Sequence, residues 1–200
     1  RSLCDNIVMN DSSKPKINSP WRFSTAPCMD WSDRHCRYFW RLMTRHARVY
    51  TEMVTTGALI HGDSDRHLRF NEEEHPIALQ LGGSTPADLG VAAKMGASYG
   101  YDEINLNVGC PSKAVRKGSF GACLMKDKKL VRNCIEALQI DNIETTLKCR
   151  LGLGRELNYE FFEEFIDEIS KTGIKIIYVH ARNAILSGIS PQGNRTIPPL

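Results

Sequence analysis

The chain has 200 residues, 42% of them hydrophobic and 24% charged, with a net charge of +3 at neutral pH. That supports one globular domain with a sizeable core, and no run approaches the ~18 consecutive apolar residues of a membrane helix. So small a net charge excludes recognition of nucleic acid by bulk charge and leaves only a local basic patch for that purpose.

Residues 1–20 hold Asn, Asp, Ser, Lys and Pro with few apolar residues, and read as a mobile leader ahead of a domain over 21–200. The leader lacks the apolar core of a secretory signal. It is also too acidic and too short of Arg for an organelle address. A cytoplasmic location is expected, with an organelle as the alternative if a targeting segment has been trimmed. The seven cysteines, at 4, 28, 36, 110, 123, 134 and 149, include no CxxC pair. A disulfide framework or a zinc site usually shows tighter, paired spacing, so the thiols read as reduced. His61 and His67 do not share a helical face, and no metal site is expected.

A first strand is predicted over 22–26 and a helix over 33–45. Strands follow at 48–51 and 77–81, the latter reading IALQL. Thr85 and Pro86 suit an N-cap and first helical residue for a helix over 86–98. The next strand spans 103–106. Asp127 is placed to cap a helix over 128–138, with Leu130, Val131, Cys134, Ile135 and Leu138 on one apolar stripe. A strand over 145–149 precedes a helix over 159–171, which carries a second stripe of Phe161, Phe162, Phe165, Ile166 and Ile169 and closes at Gly173. A sixth strand is predicted over 174–179.

Strands alternating with helices imply an α/β fold with a parallel sheet. Polar residues cluster at strand ends: Cys28–Asp30, Thr51–Glu52, Gln80, Asn107–Cys110, Lys148–Arg150 and His180–Arg182. That is the distribution of a (β/α) barrel, whose chemistry sits at the carboxyl ends of its strands. A doubly wound sheet is the alternative, although no GxGxxG follows the first strand. Six of a barrel's eight βα units are legible. No repeat or internal linker is evident, and oligomeric state is not legible.

The most specific segment is Asn105-Leu-Asn-Val-Gly-Cys-Pro-Ser112. A lone cysteine is usually a small buried hydrophobe, but this one is fixed at a strand tip before a proline. An ordinary thiol, with a pKa of about 8.5, keeps its proton at neutral pH. It can donate that proton without activation, whereas a nucleophile needs a base or a lowered pKa. No histidine lies nearby in sequence, which favours Cys110 as an acid.

This segment, with APCMDWSDRHCRYF at 26–39, YTEMVTTGALIHG at 50–62, HPIALQLGGS at 75–84 and VHARNAILSGISPQGNR at 179–195, resembles the A branch of the tRNA-dihydrouridine synthases. The likeness covers roughly 22–200 in order, and motifs spread over five strand ends are far more specific than one short pattern. It implies a TIM barrel holding FMN and a C-terminal helical domain that this chain lacks. The implied reaction is reduction of the C5=C6 bond of a D-loop uridine in tRNA, with NADPH as reductant. Cys110 is then the proton donor. Pro27, Cys28 and Met29 line the flavin, where the family usually has Ala-Pro-Met. Gln80 bonds the flavin ring, and an amide suits a pyrimidine edge because it both donates and accepts. Lys148 and His180 contact FMN, where a cation stabilises the anionic reduced ring. Asn107 orients the target base. Gln192, where the family commonly has lysine, and Arg195 contact tRNA.

The resemblance further implies glycine-rich loops for the FMN phosphate beyond position 200, so the 200-residue chain alone is expected to hold flavin weakly and to be poorly soluble. Residues 112–132 carry seven basic residues (Lys113, Arg116, Lys117, Lys126, Lys128, Lys129 and Arg132) against Asp127 alone. A charge run is usually a solvated face, but its place directly after the expected acid suits a passing phosphate backbone. Two other readings stay open at this point: an FMN barrel acting on a free pyrimidine or an enone, and a non-catalytic tRNA-binding remnant.

Overall fold

The computed structural model describes residues 23–199 apart from 114, 116 and 117. The expected leader, Arg22, Arg116 and Lys117 lie outside the described residues. Five parallel strands form the sheet: β1 Val49–Thr55, β2 Ile77–Gly82, β3 Glu103–Val108, β4 Glu144–Arg150 and β5 Ile177–His180. Their order in space is their order in sequence. A doubly wound sheet would reverse direction partway. The unbroken succession is instead the wall of a barrel, here part of its circumference.

The strand predicted over 22–26 is reduced to one bridge between Ser24 and Arg48. Thr25 N–H donates to the Arg48 carbonyl and Arg48 N–H to the Phe23 carbonyl. The next donor, Tyr50 N–H, goes to the Thr25 side-chain oxygen at 3.1 Å instead of to backbone, and the ladder stops there. Thr51 and Glu52, expected just after a strand, lie inside β1, where pairing with β2 shifts between Tyr50 and Met53. The sixth predicted strand begins later, at Ile177.

Four longer helices form where period and caps place them: α1 Arg34–Met43, α4 Pro86–Tyr99, α5 Lys128–Leu138 and α6 Tyr159–Ser170. Asp33, Asp127 and Asn158 cap three of them through their side chains. Thr85 precedes Pro86 at the start of α4 but makes no side-chain cap bond, so proline alone carries that start. Gly100, at φ +90°, ends α4 in the left-handed conformation. Among the described residues, the short helices α2 Thr56–His61, α3 Ser64–Leu68 and α7 Pro191–Thr196 were not legible. Each has two turns or fewer and no apolar stripe.

Strand alternation divides the sheet into two chemistries. Ile77, Leu79, Leu81, Ile104, Leu106, Val108, Leu147 and Cys149 point outward into the core shared with Leu89, Ala92, Val131, Ile135 and Phe165 of the helices. The alternate positions point inward and are largely polar: Gln80, Glu103, Asn105, Asn107, Thr146, Lys148 and Arg150.

Helix α1 is held differently. Its buried residues are Arg37 and Arg41. Arg37 Nε donates to Glu74 Oε2 at 2.6 Å, and Arg41 Nη2 donates to the Glu74 and Pro76 carbonyls at 2.8 and 3.2 Å. Replacing fully buried Glu74 with alanine leaves the Arg37 charge without its partner. Glu74→Ala is therefore expected to cost about 3–5 kcal/mol in urea unfolding. A loss within experimental error would show that α1 does not need the pair.

Candidate active site at the carboxyl ends of the strands

Sheet register places the expected site residues beside one another. Asn107 pairs with Lys148, Lys148 with Tyr178, and Arg150 with His180. Asn107 Nδ2 donates to Gln80 Oε1 at 2.8 Å, and Gln80 Nε2 donates to Asn105 Oδ1 at 2.8 Å. A primary amide has two N–H groups and two lone pairs, so Gln80 keeps one of each beyond these bonds.

Cys110 lies two residues past β3 and is half-buried. Asn107 Oδ1 accepts the N–H of Gly109 at 3.1 Å and of Cys110 at 3.0 Å, folding the strand end back on itself. The Cys110 carbonyl accepts Ala122 N–H at 2.9 Å, from the short 3-10 turn Gly121–Lys126. Gly121 sits at φ +72°, and a Cβ there would lie 2.6 Å from the Cys110 carbonyl oxygen. Glycine is required on both counts.

Lys148, Arg150 and Arg182 form a cationic group around this point, with the His180 imidazole among them. Burial, then Arg150, push Lys148 below the usual lysine range, while Cys149, Cys28 and Cys110 oppose the shift. Burial, then Arg150, Lys148 and Arg182, push His180 down to about 4. Arg150 Nε donates to the Gly109 carbonyl at 3.1 Å, but its buried Nη1 has no partner. Among the described residues no carboxylate acts on Lys148, Arg150 or His180. Half-buried Lys148 and buried Arg150, with no carboxylate acting on either, suit an anion.

Cys28 is close enough to act on Lys148, so the first loop reaches the site. Cys28 N–H donates to Ser32 Oγ at 2.9 Å, which curls the loop. Met29 is exposed and lines a different hollow of about 690 Å³, with Asp33, Arg34, Glu52, Met53 and Arg66. That hollow shares no residue with the cationic group. Gln192 and Arg195 are exposed on α7. Arg182 Nη1 ties that helix to the site by donating to the Arg195 carbonyl at 2.7 Å.

Arg150 and Arg182 were legible only as polar strand ends. Each follows an expected site residue by two positions, and that spacing was the signal for a shared face. The basic segment over 112–132 is more divided than its sequence implies. Lys128 pairs with Glu164 at 2.6 Å and Arg132 with Glu168 at 2.7 Å. Those two charges face α6, whereas Lys113 is exposed.

The family described as dihydrouridine synthase matches residues 24–200. The tRNA-dihydrouridine(20/20a) synthase of Vibrio vulnificus (strain CMCP6) is 55% identical over 181 residues, covering 90% of this chain and 55% of that protein. Its namesake in Salmonella typhimurium (strain LT2) is 55% identical over 182 residues, covering 90% and 54%. That of Escherichia coli (strain K12) is 53% identical over 203 residues, covering 100% and 59%. The chain thus spans little more than half the length of these curated relatives.

The His180 shift carries a pH dependence. In an unfolded chain its imidazole titrates near ~6.5. With the folded value lowered to about 4, the unfolded state takes up the proton first as pH falls. The stabilising contribution is therefore complete above the unfolded value and is lost progressively down to the folded one. An NMR titration should place the His180 midpoint near 4, and His180→Asn should flatten the fall in stability across that window. An unshifted midpoint would mean the cations do not act on the ring.

Proposed function

The chain belongs to the dihydrouridine synthase family, and on that premise we propose that its protein reduces a uridine of tRNA to 5,6-dihydrouridine, using FMN and NADPH. The observation that carries the reading is the convergence of a thiol, an amide pair and unopposed cations on three neighbouring strands. The donor set fits FMN. Arg150 Nη1 is buried without a partner, Lys148 and His180 meet no carboxylate, and Gln80 retains one donor and one acceptor for a heterocycle edge. FMN, reduced by NADPH, would supply the hydride for the uracil ring.

The chain's own residues do the rest. Lys148 and Arg150 stabilise negative charge on the group they face. Asn107 holds the Cys110 loop and orients the base. Cys110 donates a proton to C5, the carbon that does not receive the hydride. The base must leave its stack to reach this mouth. By the family's pattern Pro27, Cys28 and Met29 border the flavin, although Met29 also lines the separate hollow, and exposed Lys113, Gln192 and Arg195 are the proposed tRNA contacts. Among the described residues no helix is long and apolar enough to cross a membrane, and we place the reaction in the cytoplasm.

Cys110→Ala is expected to keep flavin bound, visible as yellow absorbance, while uridine reduction falls by about 10²–10⁴-fold, the usual contribution of general acid catalysis. Mass spectrometry of tRNA digests reads the product. Undiminished dihydrouridine would take Cys110 out of the mechanism, and turnover on free uridine would favour a small-molecule reductase instead. Arg195→Ala combined with Lys113→Ala should weaken tRNA binding and lower its log–log salt slope by roughly one unit per lost phosphate contact. An unchanged slope would return both residues to the solvated surface.

A further inference from the structure

Six groups inside the barrel wall form one hydrogen-bonded file. Cys110 N–H donates to Asn107 Oδ1 at 3.0 Å, Asn107 Nδ2 to Gln80 Oε1 at 2.8 Å, and Gln80 Nε2 to Asn105 Oδ1 at 2.8 Å. Asn105 Nδ2 then donates to Thr146 Oγ1 at 2.7 Å, and Thr146 Oγ1 to Glu103 Oε1 at 2.5 Å. Every donor points the same way, toward the carboxylate. Glu103 is fully buried, with Tyr50 OH also donating to its Oε1 and Arg48 Nη1 3.0 Å from Oε2.

Such a file has two possible polarities, because an amide or a hydroxyl can serve either way round. Its ends decide between them. At the top, the N–H groups of Gly109 and Cys110 only donate. At the bottom, burial raises the Glu103 pKa while the Thr146 and Tyr50 hydroxyls and Arg48 favour its charged form; Thr146 and Tyr50 both donate to its Oε1, so it is the acceptor end, beside a guanidinium that only donates. We infer that Glu103 is a remote positioning residue for the proposed active site: acting through Thr146 and Asn105, it fixes which way Gln80 and Asn107 present their amides, and thereby holds Cys110 in place. The inference rests on the functional reading for its importance, but not for its geometry.

A direct consequence concerns Glu103→Gln, which preserves shape. Arg48 attracts the new amide's oxygen, so its NH₂ turns toward Thr146. Thr146 must then accept, its O–H turns to Asn105, and the reversal passes along the file. Asn107 would finally oppose its own NH₂ to the N–H groups of Gly109 and Cys110, releasing the loop. Thr146→Val cuts the file without changing side-chain size. Thr146→Ser keeps the hydroxyl. Tyr50→Phe removes a donor from Glu103 but leaves the file intact.

The test is the iodoacetamide alkylation rate of Cys110, followed by peptide mass spectrometry in the flavin-loaded protein without tRNA. Glu103→Gln and Thr146→Val should speed it by about fivefold, the weight of one hydrogen bond. Thr146→Ser and Tyr50→Phe should match the parent. With tRNA, the first two variants should lose kcat with KM unchanged. Should Thr146→Val fail to fold, Thr146→Ala, which removes the same hydroxyl, takes its place, and the same rise of about fivefold is expected. Parent-like rates in Glu103→Gln and in Thr146→Val or Thr146→Ala, or a Tyr50→Phe effect equal to that of the Thr146 variant, would overturn the inference. Alkylation that responds as expected in a protein unable to reduce uridine would sink the functional reading and leave the file standing.

Discussion

Strand β3 is buried on both faces, yet every second residue of it is polar. Glu103, Asn105 and Asn107 must therefore find partners inside the barrel, because an unmet polar group there costs far more than a met one returns. That requirement fixes the neighbours. Tyr50 and Arg48 answer Glu103 from one side, Thr146 answers both Glu103 and Asn105 from β4, and Gln80 bridges Asn105 and Asn107 from β2. A one-residue slip would turn all three toward the helix layer and bring Ile104, Leu106 and Val108 inside. Register, and with it the meeting of Asn107 with Lys148, depends on that satisfaction.

The same strands sort charge by depth. The Arg48–Glu103 pair lies near the amino ends, amides and a hydroxyl occupy the middle, and the cations Lys148 and Arg150 stand at the carboxyl ends. A neutral layer thus separates the only buried carboxylate of β3 from the cations. Were Glu103 two positions further along its strand, it would neutralise them. Placed where it is, it leaves them available to an incoming anion.

How much of this was readable follows from how local each signal is. Of the four longer helices, α5 and α6 announced themselves through apolar stripes, and α4 through proline at its first position. The short helices gave only a cap, as with Thr55 and Asp63. Gln80, Asn107, Lys148 and His180 were found by resemblance, and strand period explains why they share a face. Arg150 and Arg182 share that period and could have been read the same way. The file from Cys110 to Glu103 could not, because register between strands is set by contacts 25 to 43 residues apart in sequence. The basic run over 112–132 misled in part for the same reason: Glu164 and Glu168, which pair with Lys128 and Arg132, come 36 residues later.

Helix α1 stands apart from the rest of the wall. Its Phe39, Leu42 and Met43 are exposed, while its two buried residues are arginines bound to Glu74 and to backbone carbonyls. Exposing apolar surface raises the heat capacity of a chain, and exposing polar surface lowers it. Detaching α1 would uncover chiefly guanidinium, carboxylate and peptide groups, with Trp40 the main apolar contribution. Its release should then carry little or no heat-capacity increment, unlike that of α5 or α6. The free energy of that attachment would vary almost linearly with temperature, without the curvature that weakens apolar packing in the cold, and the loop from Cys28 to Ser32 that leads into α1 would keep its anchorage when the helix layer loosens.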